Sequence, residues 1–123
     1  MQGNPVLESL TKASKGLLFP SETEAELEPF LWEAAAAPTR ERLRKQAGAA
    51  ADAAVEEATL AELLRTVPSE DRPKFQALQK TLEALLSGMQ VYKVGDEAEK
   101  TVWIVGKTAD GRWAGLKTTV VET

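Results

Sequence analysis

Hydrophobic positions recur at helical spacing through the first two-thirds of the chain and alternate through the last third. Val6, Leu7, Leu10, Ala13 and Leu17 line one helical face behind Asn4-Pro5, a capping residue followed by a proline suited to the first helical position. Gly16 marks that helix's stop, and Phe19-Pro20-Ser21 reads as a turn. The run PFLWEAAAA at 29–37 is short and apolar with aromatics at its start, which predicts a buried strand around Phe30–Ala34, with a helix as the alternative. Pro38-Thr39 caps a short basic helix over 40–46, ended by Gly48. The alanine-rich segment 47–58 has few large side chains and predicts a loop running into an edge strand near 53–57. Thr59 and Glu62 form a capping box for a helix over 60–66, stopped by Pro68. Asp71 is expected to cap the longest helix, with Pro73 in its first turn and Gly88 at its end. Its buried stripe is Phe75, Leu78, Leu82, Leu85 and Leu86.

From residue 91 onward the pattern belongs to strands. VYKVG (91–95), TVWIVGK (101–107) and WAGLKTTVVE (113–122) predict three antiparallel strands, with Asp110-Gly111 supplying turn chemistry. Val102 and Ile104 fall on one face of the middle strand, Trp103 and Val105 on the other. Apolar residues on both faces require cover on both. The expected fold class is therefore α/β, an α/β/α sandwich with a mainly antiparallel sheet, in a single compact domain spanning 1–123. The final VVET continues the last strand, so the carboxylate of Thr123 is expected to be held by the sheet.

Composition removes most chemistry. The 123 residues include no cysteine and no histidine, which excludes thiol catalysis, Ser-His-Asp triads, disulfides and the usual zinc sites. Residues 1–20 lack a signal pattern and no apolar run approaches membrane-spanning length, so a soluble cytoplasmic protein is expected. The net charge of −4 argues against direct nucleic-acid binding. Glu22, Glu24, Glu26, Glu28 and Glu33 fall in one stretch without a basic residue, which suits a basic protein partner or a bound cation; a solvated acidic loop is the plain alternative. Gly106-Lys107-Thr108 ends like a phosphate-binding loop, but Thr101 stands where that motif needs glycine. Carboxylate pairs are plentiful, yet no nucleophile or oxyanion hole accompanies them. The chain does not read as an enzyme.

Five stretches together resemble the nuclease A inhibitor family: KASKGLLFPSETE (12–24), PFLWE (29–33), KFQALQKTLEALL (74–86), QVYKVG (90–95) and IVGKTADGRWAGLKTTVVET (104–123). They cover nearly the whole chain in order. The resemblance implies a small intracellular α/β/α protein that blocks a sugar-non-specific, metal-dependent nuclease of the ββα-metal class, as a monomer forming a 1:1 complex. It also implies roles for Glu22 and Thr123 at the nuclease metal site, with Glu24 matching a second family acid. No cofactor of its own is expected, only Mg²⁺ or Mn²⁺ bridged at the partner interface. Such hard cations take oxygen ligands and retain waters to which carboxylates can hydrogen-bond. Between Thr66 and Lys74 the chain reads TVPSEDRPK, shorter than the family's loop and without its tryptophan, which leaves Glu70 as a candidate polar contact. Trp113, beside a turn, is a candidate aromatic anchor. The alternative function is an intracellular interaction module that shares the fold and binds a different, basic protein.

Overall fold

The computed structural model describes residues 5–15, 17–19, 25–33, 38–49, 52–65, 67, 69–95 and 99–121. The elements run α1 (Pro5–Ser14), β1 (Leu18–Phe19), β2 (Ala25–Glu26), β3 (Glu28–Trp32), α2 (Arg40–Gln46), β4 (Val55–Ala58), α3 (Leu60–Leu64), α4 (Arg72–Leu85), β5 (Ser87–Val94), β6 (Glu99–Lys107) and β7 (Trp113–Val121). The strands β3 to β7 form one sheet in the order β3-β7-β6-β5-β4, with every neighbouring pair antiparallel. The short pair β1-β2 forms a separate ribbon.

Strand alternation divides the core into two layers. On one face Val91, Val102, Ile104, Ala114, Leu116 and Val120 pack beneath Leu10 of α1, Leu63 of α3, and Phe75, Leu78 and Leu82 of α4. On the other face Val94 and Trp103 pack beneath Leu43 of α2 and Ala53, with Phe30, Trp32 and Tyr92 half-buried around them. Helices thus cover both faces, as the double-sided hydrophobicity of the middle strand requires. The expected α/β/α sandwich is the fold observed.

The face beneath α2 is aromatic. Ring centroids of Phe30, Trp32 and Trp103 lie 4.6 to 5.3 Å apart, and Lys117 Nζ sits 5.4 Å from the Trp103 ring centroid. The Trp103 indole N–H has no hydrogen-bond acceptor among the described residues. An unmet donor costs about 1–3 kcal/mol, which burial of a ring exposing about 150–250 Å² when unfolded more than offsets.

Tyr92 stands opposite Glu57 on this face. Burial pushes the phenol pKa up, the Glu57 carboxylate adds to the rise, and the Arg40 guanidinium opposes it. The chain has one tyrosine, so tyrosinate absorbance reports this group alone. Its midpoint is expected above the ordinary value of about 10, and Glu57→Gln should lower it. A midpoint at or below the ordinary value would contradict this packing. Folding favours the neutral phenol, so the stability it contributes is complete below about pH 10. That contribution is lost as pH rises through the folded midpoint.

Several local expectations shift. The strand around Trp32 begins earlier, at Glu28, and pairs along its whole length with β7, from Glu28↔Lys117 to Trp32↔Trp113; Ala34, its expected end, lies outside the described residues. Gly88 does not stop α4. The helix closes at Leu86, whose N–H donates to the Leu82 carbonyl at 2.8 Å, and Gly88, at φ +60°, serves an irregularity inside β5 between Ser87 and Gln90. Asp71 precedes α4 without a side-chain cap; its backbone carbonyl accepts from Lys74 and Phe75 instead. Thr59 does cap α3, accepting the Glu62 N–H at 3.1 Å, while its hydroxyl donates to the Glu62 carboxylate at 3.2 Å. The edge strand expected near 53–57 forms at Val55–Ala58.

The β6-β7 turn is locked by side chains. The Thr108 hydroxyl donates to Asp110, and Arg112 meets the same carboxylate through Nε at 3.0 Å and its terminal nitrogen at 2.9 Å. These contacts hold the Asp110 carboxyl below the usual carboxylate range, the Thr108 hydrogen bond first among them.

Candidate partner-binding end of the sheet

The sheet register decides which chemistry shares an end. β3 starts at Glu28 opposite Lys117, the middle residue of β7, and the last residue of β7, Val121, lies opposite Glu99 at the start of β6. Immediately before β3, residues Ala25 and Glu26 pair back with Phe19 and Leu18, so the β1-β2 hairpin stands at the same end. One polar tie fixes it there. Thr118, 2% exposed, donates its hydroxyl to the Glu26 carbonyl at 3.0 Å across 92 residues of sequence. A buried hydroxyl must find an acceptor, so Thr118 aligns the ribbon with the second half of β7.

Of the residues singled out from sequence, Glu22 and Glu24 belong to the segment joining β1 to β2, and Thr123 follows β7; all three lie outside the described residues. Their described neighbours, Ala25 and Glu26 on one side and Val121 on the other, flank the same end of the sheet. Glu26 and Glu28 are exposed here, on either side of the buried Leu27. Glu70 is exposed in the turn before α4, on a separate loop. Trp113 opens β7, pairing with Trp32 and Lys107. Eight residue steps separate it from Val121, about 27 Å of strand, so it stands at the opposite end. There it is half-buried with Lys107 Nζ 5.8 Å from its ring centroid.

Sequence reasoning passed over Thr118. Its signal was available: it shares inward parity with Ala114, Leu116 and Val120, where a hydroxyl stands out. Among the described residues no cluster of three or more Asp, Glu, Cys or His side chains could hold a metal ion. Among them, too, no helix is long and apolar enough to cross a membrane.

The family model described as nuclease A inhibitor-like protein matches residues 4–123. The chain belongs to the nuclease A inhibitor-like family. The match extends across α1, the hairpin, the whole sheet and the segment beyond β7, so the resemblance carried by five separate stretches is a property of nearly the entire chain. No curated protein matches the sequence. In this nuclease A inhibitor-like chain, the GLLFPSETE element contributes the first strand of the hairpin and the segment that follows it. The TTVVET element contributes the second half of β7. The Thr118–Glu26 hydrogen bond joins the flanks of the two most distinctive elements, Glu26 standing two residues beyond GLLFPSETE and Thr118 two residues before VVET.

Proposed function

We propose that this chain is a non-catalytic, stoichiometric inhibitor of a sugar-non-specific, metal-dependent nuclease, acting inside the producing cell. The observation that supports it most is the tie between hairpin and β7, because it joins the flanks of the two carboxylate-bearing segments. In this reading Glu22 and the terminal carboxylate of Thr123 accept hydrogen bonds from waters on the partner's Mg²⁺ or Mn²⁺, or bridge to the ion itself. They occupy the volume that substrate phosphate needs. Glu24 and the exposed carboxylates of Glu26 and Glu28 extend the acidic surface that a phosphate-reading protein would attract. Glu70 contributes at the rim. Trp113 stands at the far end of β7, away from these carboxylates.

An interface of about 1,600 Å² suits such a 1:1 complex. Glu22→Ala and deletion of Thr123 are each expected to weaken inhibition by about 1.5–3 kcal/mol, the scale of hydrogen bonds to charged groups. That corresponds to roughly ten- to 150-fold in inhibition constant. Titration of a purified ββα-metal nuclease with wild type and both variants measures it. Equal inhibition by all three proteins would sink the residue assignment. Wild type that leaves the nuclease active, while a basic non-nuclease protein from the host co-purifies with it, would favour the interaction-module reading.

A further inference from the structure

A groove of about 390 Å³ opens beside the hairpin, lined among the described residues by Thr11, Ser14, Lys15, Leu17, Glu26, Leu27 and Pro29. Its volume lies in the lower part of the range of about 300–1,000 Å³ typical of binding clefts. The polar groups on its α1 side are already committed. Thr11 donates its hydroxyl to the Leu7 carbonyl at 2.8 Å, and the buried Ser14 donates to the Leu10 carbonyl at 2.8 Å. Neither asks anything of an occupant. The remaining surface is Leu17, Leu27 and Pro29, an apolar lining with Lys15 on one side and the exposed Glu26 on the other.

We infer that this groove receives an apolar side chain of the partner nuclease, leucine- or phenylalanine-sized, carried beside a lysine or arginine that meets Glu26 or Glu28. The inference rests on the inhibitor reading above and specifies how the hairpin is gripped. Charge complementarity selects the occupant. Glu26 and Glu28 flank Leu27, and Glu22 and Glu24 precede them in the same acidic stretch. A surface built to hold phosphate presents cations, so an apolar residue among those cations fits both the lining and its rim. Interfaces concentrate their binding energy in anchors of this kind, seated in pockets and shielded from water. Placed next to the acidic segment, such an anchor would fix the orientation of its carboxylates, a task that charge alone does poorly in water.

Thr11 supplies the test, because it lines the groove from the exposed face of α1. Thr11→Trp should fill the groove, while Thr11→Ser keeps it open with the same hydroxyl. Against a purified ββα-metal nuclease, Thr11→Trp is expected to raise the inhibition constant at least tenfold. Thr11→Ser should stay within about twofold of wild type, and both variants should keep the wild-type melting temperature. Equal inhibition by wild type and Thr11→Trp would overturn the groove assignment and leave the inhibitor reading intact. A loss shared by Thr11→Ser, or a lowered melting temperature accounting for the Thr11→Trp loss, would also count against it. Failure of wild type itself to inhibit would overturn the inhibitor reading, and the groove inference with it.

Discussion

Gly115→Ala is expected to cost about 3 kcal/mol or more, at or beyond the upper range for overpacked positions. Gly115 is buried in the middle of β7, opposite Phe30 on β3 and Val105 on β6. A Cβ built there would overlap the backbone carbonyl oxygen of Ile104. A flexible side chain could rotate away, but a carbonyl in a paired strand cannot. Relief requires separating β7 from β6, the longest ladder of the sheet, running from Glu99↔Val121 to Lys107↔Trp113. Chemical denaturation monitored by tryptophan fluorescence would measure the loss. A variant within 0.5 kcal/mol of wild type, about the ordinary scatter for surface changes, would show that the strands do not approach this closely.

Leu82→Ala should be comparably damaging, by about 3–5 kcal/mol. Leu82 is 1% exposed on α4. It lines a small void of about 10 Å³ together with Leu27, Leu63, Phe75, Leu78 and Ile104. Truncation would join the vacated volume to that void. α3, β6 and Leu27 would then face, together with α4, an empty, apolar space, and the cost of such substitutions rises with the cavity left behind. The measurement is again equilibrium unfolding, and a loss under 2 kcal/mol would mean that α3 and α4 collapse inward to refill the site. Leu27 carries the same packing to the hairpin, so inhibition should weaken in parallel if the inhibitor reading holds.

How much was legible in advance depended on the range of the interactions involved. The change from helical to alternating period near residue 90, and the apolar residues on both faces of β6, are local patterns, and they sufficed for the α/β/α layering. The position of β3 is not local. Nothing in PFLWE names its partner, because the choice of β7 rests on side chains almost ninety positions away, such as Lys117 opposite Glu28. The ribbon β1-β2 has two residues per strand, too few to leave an alternating signature. Gly88 reads equally well as a helix stop and as a strand irregularity, since a positive φ serves both. The candidate site was legible only in part. Acidic residues along 22–28 are visible in the sequence, but their connection to VVET came through family resemblance. Thr118, the tie between them, looks in isolation like any β-branched strand residue.

The placement of β7 in the sheet order has a consequence for assembly. β5, β6 and β7 are consecutive in sequence and joined as a meander, so their pairings close short loops. β3 can join only across β7, at the far side of that meander, after a loop spanning most of the chain has closed. Closing such a loop is entropically expensive and supports slow, late docking. The N-terminal hairpin is thus expected to be among the last parts fastened and among the first that a fluctuation releases. A chain that has made its meander but not yet docked β3 would be largely structured and still unable to grip a partner, so inhibitory capacity would mature after the bulk of the fold.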